Sequence, residues 1–282
     1  MSKTSSKTSK PSKTAVVTGA SSGMGHAIAK QLLKDGYRVF VAARSVEKMS
    51  DLVRQGAVAI RMDISKAEDI EAAAQTILSQ AGAVDVLVNN AGYGLFGAME
   101  DIGVDEARYQ FEVNVFGPAR LTQLLLPAMR EKRSGTIVNI TSMGGKIYTL
   151  LGSWYHATKH ALEGWSDCLR LEVEPFGIRV VVIEPGVIET GFGEVALDGM
   201  LTRPGVGAYD EVTQRVARVT RASYGQGTGT KPEVIARVIS RAVKARRPKT
   251  RYAAGRYAKL MIGVRKWFGD RVFDGLILGQ MK

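Results

Sequence analysis

The chain has a single cysteine in its 282 residues, Cys168, which excludes an internal disulfide framework and a thiolate zinc site and suits a reducing, cytoplasmic setting. Its three histidines, His26, His156 and His160, have no metal-ligating partners at suitable spacing, and all three read as structural. No stretch reaches the roughly 18 uncharged apolar residues that a spanning helix needs, so an integral membrane protein is not expected. The opening MSKTSSKTSKPSKT lacks an apolar segment and does not read as a secretory signal. Core material is plentiful. Apolar residues make up 45% and charged residues 23%, which rules out disorder of the whole chain and fits one large domain.

The formal net charge of +12 would suit a nucleic-acid binder, but its distribution argues against one. Residues 1–13 carry +4 and residues 231–282 carry +11, which leaves −3 for residues 14–230. Binding confined to the ends would be non-specific and salt-sensitive. Any electrostatic partner is therefore sought at the C-terminal segment.

The Ser/Thr/Lys tail over 1–13 cannot bury apolar surface and is predicted to be disordered. From Thr14 short apolar runs alternate with segments of helical period. The runs are TAVVT, RVFVAA, AVAIRMD, VDVLVNN, GTIVNIT, IRVVVIEP and TRYAA. Helices are expected at 23–35, 46–55, 66–80, 104–133, 153–174 and 232–246. Near-continuous apolar strands between helices predict a parallel sheet covered on both faces, a doubly wound α/β/α domain in three layers over 14–255. The rhythm breaks in the Gly- and Thr-rich stretch after Gly186, and 191–230 reads as a mobile substrate lid. Cys168 reads as a small packed side chain on the 153–174 helix.

Directly after the first strand stands Thr18-Gly19-Ala20-Ser21-Ser22-Gly23-Met24-Gly25, opening a helix. Gly19 allows the tight turn, Gly23 and Gly25 remove Cβ atoms from a close backbone approach, and the helix N-terminus offers N–H groups to a pyrophosphate. That placement predicts a dinucleotide site. With Asn89-Asn90-Ala91-Gly92, Asn114, Ser142, Tyr155-x-x-x-Lys159 and Pro185-Gly186-x-x-x-Thr190 in order, the sequence resembles the short-chain dehydrogenases/reductases over 14–190. The resemblance implies a Rossmann-type fold and an oxidoreductase that moves hydride between a nicotinamide cofactor and a C=O or CH–OH group.

At the end of the second strand the sequence reads Ala43-Arg44-Ser45, with no acid to hold a ribose diol and one guanidinium to fork onto a 2′-phosphate, so NADP(H) is expected. By resemblance Asp63 bonds the adenine amino group. Asn89 reads as structural, whereas Asn90, Ala91 and Gly92 are expected to meet the cofactor ribose through their backbone. Pro185, Gly186, Ile188 and Thr190 are expected at the nicotinamide carboxamide.

Tyr155 and Lys159 share one helix face. An ammonium beside the phenol, together with an oxidised nicotinamide, is expected to lower the phenol pKa, and in reduction Tyr155 donates the proton. Lys159 is also expected to hold the nicotinamide ribose, and Ser142 to polarise the substrate carbonyl. By resemblance the backbone carbonyl of Asn114 holds a water that continues the proton relay. A non-catalytic dinucleotide sensor on the same fold is the competing class, against which the intact Ser142, Tyr155 and Lys159 speak.

The segments Tyr93–Phe96, Met143–Tyr148 and Val187-Ile188 with Phe192 suggest an apolar lining and a lipophilic substrate. The 256–282 extension places Tyr257, Leu260, Met261, Val264, Trp267 and Phe268 at helical spacing among Arg256, Lys259, Arg265, Lys266 and Arg271. It reads as a helix covering the pocket or a second subunit, since Gly263, Gly269 and Gly275 weaken a free helix. The alternative is an interfacial helix on anionic membrane, which would make the protein peripheral there. The resemblance implies a homodimer, with the family's tetramer less expected because of this extension.

Overall fold

The computed structural model describes residues 13–202, 207–225 and 227–280. The predicted basic tail lies outside these residues except for Lys13. Seven strands form one all-parallel sheet: β1 (Thr14–Thr18), β2 (Arg38–Ala43), β3 (Val58–Arg61), β4 (Val86–Asn89), β5 (Gly135–Ile140), β6 (Ile178–Pro185) and β7 (Arg251–Ala254). Their order is β3-β2-β1-β4-β5-β6-β7. The chain steps outward from β1 through β2 to β3 and returns to β4 on the other side of β1. That reversal opens a crevice at the carboxyl ends of β1 and β4, where open α/β sheets bind ligands.

The apolar runs sort their side chains by strand periodicity. Val17, Val39, Val41, Val88 and Ile183 pack under α1 (Gly23–Lys34) and α9 (Pro232–Lys244), whose Ile28, Leu32, Ile235 and Ile239 complete that layer. Val16, Phe40, Ala42 and Leu87 pack on the other face against Ile77 of α3 (Ala67–Ala81) and Leu121 and Leu125 of α5 (Gly117–Glu131). Ile137 and Val180 continue that face onto Leu169 and Val173 of α6 (Ser153–Val173). Both faces are covered, and the three-layer doubly wound fold stands as predicted.

Three local expectations are corrected. The predicted 104–133 helix is α4 (Val104–Phe111) and α5 joined through a π-helical turn at Glu112–Phe116. Gly117 is required where α5 begins, since a Cβ there would lie 2.0 Å from the Ile64 carbonyl oxygen. The predicted 46–55 helix is a 3-10 turn at Val46–Met49 followed by the short α2 (Ser50–Arg54). The Gly- and Thr-rich stretch read as a substrate lid, for which no helix was predicted, contains α7 (Phe192–Leu201) and α8 (Asp210–Tyr224). Gly193 and Gly199 stand inside α7, where Gly193 is buried and a Cβ on it would lie 2.5 Å from Tyr224 Cβ, so packing against α8 outweighs the low helix propensity of glycine there.

The C-terminal extension is α10 (Ala258–Gly279), broken at Gly269, whose φ of 74° no helix residue adopts. Among the described residues no helix is long and apolar enough to cross a membrane. Cys168 is exposed on α6. That overturns its reading as packed: Leu162, Ser166 and Leu169 form the inward face, and Cys168 falls outside it.

Candidate active site

Above the carboxyl ends of the strands lies a cleft of about 730 Å³. It is lined by Gly19, Ser21, Ser22, Gly23, Met24, Gly25, Arg44, Asp63, Asn90, Ala91, Gly92, Ser142, Tyr155, Lys159, Pro185, Gly186, Ile188 and Thr190. Every candidate site residue named from the sequence is on that wall except Asn114.

The glycine turn is built for close approach. Gly19 and Gly23 have φ of 65° and 53°, in the left-handed region that disfavours side chains. A Cβ on Gly25 would lie 2.2 Å from the Gly19 carbonyl oxygen. Ser22, at the N-cap of α1, makes no side-chain capping bond, so the first N–H groups of that helix have no such competitor for an anion. These features fit a dinucleotide pyrophosphate. Asn90 Nδ2 donates to the Thr18 carbonyl at 2.9 Å, and the Thr18 hydroxyl accepts the N–H groups of Asn90 and Ala91, each at 3.0 Å. Thr18 thus ties the β1 and β4 ends together, a role that no sequence spacing reveals. Asn89 is buried and donates to Thr122 and Asn139, as its structural reading expected.

At the far end of the cleft stand Arg44, Ser45 and Lys48 with no carboxylate at the β2 terminus. Lys48 is not legible from the sequence as a cleft residue, because periodicity predicts a regular helix where it sits in a 3-10 turn. Partial burial pushes the Asp63 carboxyl up, but hydrogen bonds from the Ser65 N–H and hydroxyl and the field of Arg44 outweigh it and hold the group below its usual range.

Ser142 follows β5. Its oxygen accepts the Gly144 N–H at 3.0 Å, and its own hydrogen is directed to the Tyr155 phenol oxygen. Tyr155 is buried against Phe96 and Phe192, with ring centroids 5.2 and 5.5 Å away. Burial pushes its phenol up to about 12, and a hydrogen bond with Ser142 pulls the other way. The expected lowering by Lys159 is not present in this arrangement, and the reason is physical. Lys159 is equally buried, its Nζ is 6.0 Å from the Tyr155 ring centre, and it donates to the Ile140 carbonyl at 3.1 Å. Burial drives the amine down to about 8, against the field of Glu163.

Asn114 lies behind the cleft, inside the π-helical turn. Its Oδ1 accepts from Tyr93 N at 3.0 Å, and its Nδ2 donates to Tyr93 O and Thr158 Oγ1. The side chain thereby couples the loop after β4 to α6. A Cβ built on Gly92 would be 3.0 Å from Asn114 Oδ1 and 3.7 Å from Lys159 Nζ, so the two residues meet across that glycine.

Two supports were not legible in the sequence. The buried Glu163 accepts from Thr141 Oγ1 at 2.6 Å and pairs with Lys146 at 2.9 Å and Arg251 at 3.0 Å. It clamps the segment that carries Ser142 to the helix that carries Tyr155 and Lys159. Tyr224 is the second. It stacks on Phe192 at 6.0 Å, and burial raises its phenol.

His156 Nε2 accepts the Thr149 N–H at 3.0 Å, so Nδ1 carries the proton and donates to the Gly144 carbonyl at 2.9 Å. His26 pairs with Asp51 and His160 bonds the His156 carbonyl, all structural contacts as expected. The apolar lining is corrected in part: Leu95, Ile147, Val187 and Ile188 are buried. Of these four only Ile188 reaches the cleft wall.

Comparison with known proteins places the chain in a family. The short chain dehydrogenase family profile matches residues 13–199. A probable short-chain type dehydrogenase/reductase of Helicobacter pylori, VdlC, is 31% identical over 95% of this chain and 99% of its own. The 3-ketodihydrosphingosine reductase of Bacteroides thetaiotaomicron is 31% identical over 92% of this chain and 94% of its own. A short-chain dehydrogenase structure from Streptomyces avermitilis superposes with a TM-score of 0.78 at 36% identity, covering 95% of this chain and 99% of that one. A metagenomic short-chain oxidoreductase in complex with NADP matches at TM-score 0.66 and 30% identity, over 85% and 95% of the two chains. A 3-ketoacyl-(acyl-carrier-protein) reductase from Brucella melitensis, complexed with NADH, matches at 0.69 and 30%, over 83% and 93%. This chain belongs to the short-chain dehydrogenase family and is an oxidoreductase acting on CH–OH or C=O groups.

Proposed function

We propose that the protein is an NADP(H)-dependent reductase of a lipophilic ketone or aldehyde. The observation that carries the cofactor choice is the end of β2. Arg44 and Lys48 border the cleft there and no acid ends the strand, a donor set suited to a 2′-phosphate and not to a free ribose diol. The glycine turn and the N-terminus of α1 would hold the pyrophosphate, and Lys159 the nicotinamide ribose. When bound, the cofactor supplies the hydride.

The chain's own groups handle the proton and the oxygen. Tyr155, with a phenol pushed up to about 12, stays protonated across the physiological range and is ready to donate to a carbonyl oxygen. Ser142, whose hydrogen faces the Tyr155 oxygen, turns it to the same substrate oxygen as negative charge develops. Lys159, near Asn114 across Gly92, returns a proton to Tyr155, and the widened turn at Asn114 supports a water path to that amine. Phe96, Phe192 and Tyr224 around Tyr155 favour an apolar substrate. We further propose a homodimer in a cytoplasmic setting.

The test is steady-state oxidation of NADPH against NADH over a panel of lipophilic carbonyls. NADPH is expected to give the higher specificity constant, and Arg44→Ala to raise the NADPH KM by about ten- to a hundredfold while sparing NADH. A higher constant for NADH would overturn the cofactor choice.

A further inference from the structure

Thirteen large hydrophobic residues are exposed among the described residues, and six of them, Tyr257, Leu260, Trp267, Phe268, Val272 and Leu278, fall on the last two dozen. Trp267 is the most exposed at 76%. The helix is not loose. Its inner side, Met261, Val264, Phe273, Leu276 and Ile277, packs on Met143, Ile147, Tyr148 and Leu150, the segment that follows Ser142. Apolar residues therefore occupy both sides of α10, and only one side is covered. A patch of this kind marks an interaction surface.

Four times along it a cation directly precedes an exposed apolar residue: Arg256-Tyr257, Lys259-Leu260, Lys266-Trp267 and Arg271-Val272. Lys259-Leu260 and Lys266-Trp267 are seven residues apart, so they repeat on one face two turns along. Lys266 Nζ lies 5.0 Å from the Trp267 ring centre, and the Arg256 guanidinium 4.8 Å from that of Tyr257. The acids of the helix are already engaged. Asp270 pairs with Arg265, and Asp274 accepts the Tyr148 hydroxyl at 2.8 Å. Among the described residues no carboxylate pairs with Lys259, Lys266 or Arg271.

We infer that the outer face of α10 docks on an anionic lipid bilayer, with the aromatic and aliphatic side chains in the interface and the neighbouring cations at the headgroups. Charge decides between occupants. A second copy of this face would set Lys259, Lys266 and Arg271 against the same cations with no free acid to meet them, whereas an anionic bilayer meets every one. A groove of about 520 Å³ borders only the start of the patch, at Tyr257, Lys259 and Leu260. Lys266, Trp267, Phe268, Arg271 and Val272 lie outside it, and cations adjoining apolar side chains there suit a lipid interface. Docking there would bring the Ser142 segment, on which α10 rests, next to the lipid.

Co-sedimentation of the full chain with vesicles tests this. Vesicles of phosphatidylcholine and phosphatidylglycerol in a two-to-one ratio are expected to bind the protein, pure phosphatidylcholine to bind it far less, and added salt to release it. Lys266→Gln with Arg271→Gln should weaken binding about 20- to 30-fold, at about fivefold per cation. Trp267→Ser with Phe268→Ser should abolish it. Oxidation of NADPH with a water-soluble carbonyl should be unchanged in all variants, which certifies folding and keeps this result separate from the reductase reading. Absence of vesicle binding by the parent chain, or binding indifferent to both double variants, would overturn the inference. So would light scattering showing that the Trp267/Phe268 variant splits an oligomer of the parent, because the face would then be a self-interface.

Discussion

Lys159 Nζ lies 6.0 Å from the centre of the Tyr155 ring while it donates to the Ile140 carbonyl at 3.1 Å, so the amine is anchored to β5 beside the phenol. Both groups are buried. Burial opposes charge on each, so the phenol rests protonated and the amine loses its proton near pH 8. These are the protonation states that the proposed reduction requires of the pair.

Tyr155→Phe removes the proton and leaves the ring contacts with Phe96 and Phe192. The rate of NADPH oxidation is expected to fall about 10²–10⁴-fold, with NADPH affinity, read from its fluorescence on titration, held within a few-fold. Turnover close to that of the parent would remove Tyr155 from the chemistry.

Glu163 supports that pair from behind. Glu163→Gln keeps an oxygen for Thr141 but withdraws the charge facing Lys146, Arg251 and Lys159. The Lys159 amine should then titrate below its present value of about 8, because the field that favours its charged form is gone. The alkaline limb of the kcat profile is expected to move to lower pH, with kcat falling more than KM rises. Glu163→Asp should recover part of the shift. A limb that does not move would assign Glu163 to packing alone.

Most of the frame was legible because the period-2 and period-3.6 patterns are strong here: β1, β2 and β6 match their predicted runs residue for residue. The cleft residues were legible through short-range motifs, most of them at strand ends and Tyr155 with Lys159 on one face of α6. What was hidden depends on distant partners. Glu163 is an ordinary acid on a helix until Thr141, Lys146 and Arg251 fold onto it. The π-helical turn at Asn114 looks like uninterrupted helix, since its residues have normal helical composition. Lys48 gains its place from a 3-10 turn that periodicity does not distinguish.

Gly25 carries the tightest constraint in the turn. Gly25→Ala would set a methyl group 2.2 Å from the Gly19 carbonyl and 2.5 Å from Asn90 Nδ2, both fixed by backbone bonds. The turn must open to admit it. Stability is expected to drop by about 1–3 kcal/mol, and NADPH affinity to fall at least tenfold, read by urea unfolding and by fluorescence titration. An unchanged affinity would show that the glycine turn is not the phosphate cradle.

His156 gives the fold a pH dependence whose sign is fixed by burial. Desolvation pushes the imidazole from 6.5 down to about 4, against the hydrogen bond to Gly144. Between those values the unfolded chain takes up a proton that the folded chain refuses, so stability falls as pH drops from about 6.5 towards 4. The full effect of this one group is about 3 kcal/mol, reached near the lower value. Asp35, Asp51, Asp63 and Asp167 are held below 3.8, so their losses come at lower pH. Glu184, raised above 4.5 by burial and the field of Glu163, takes up its proton within the window and opposes the His156 slope, equally in the parent and in a His156 variant. In His156→Gln the contacts to Gly144 and Thr149 are weakened, which should reduce stability at pH 7 by about 1–3 kcal/mol and flatten the slope between pH 6.5 and 4. Urea midpoints for the two proteins should therefore converge as the solution is acidified, whereas parallel curves would mean that His156 is not the titrating group.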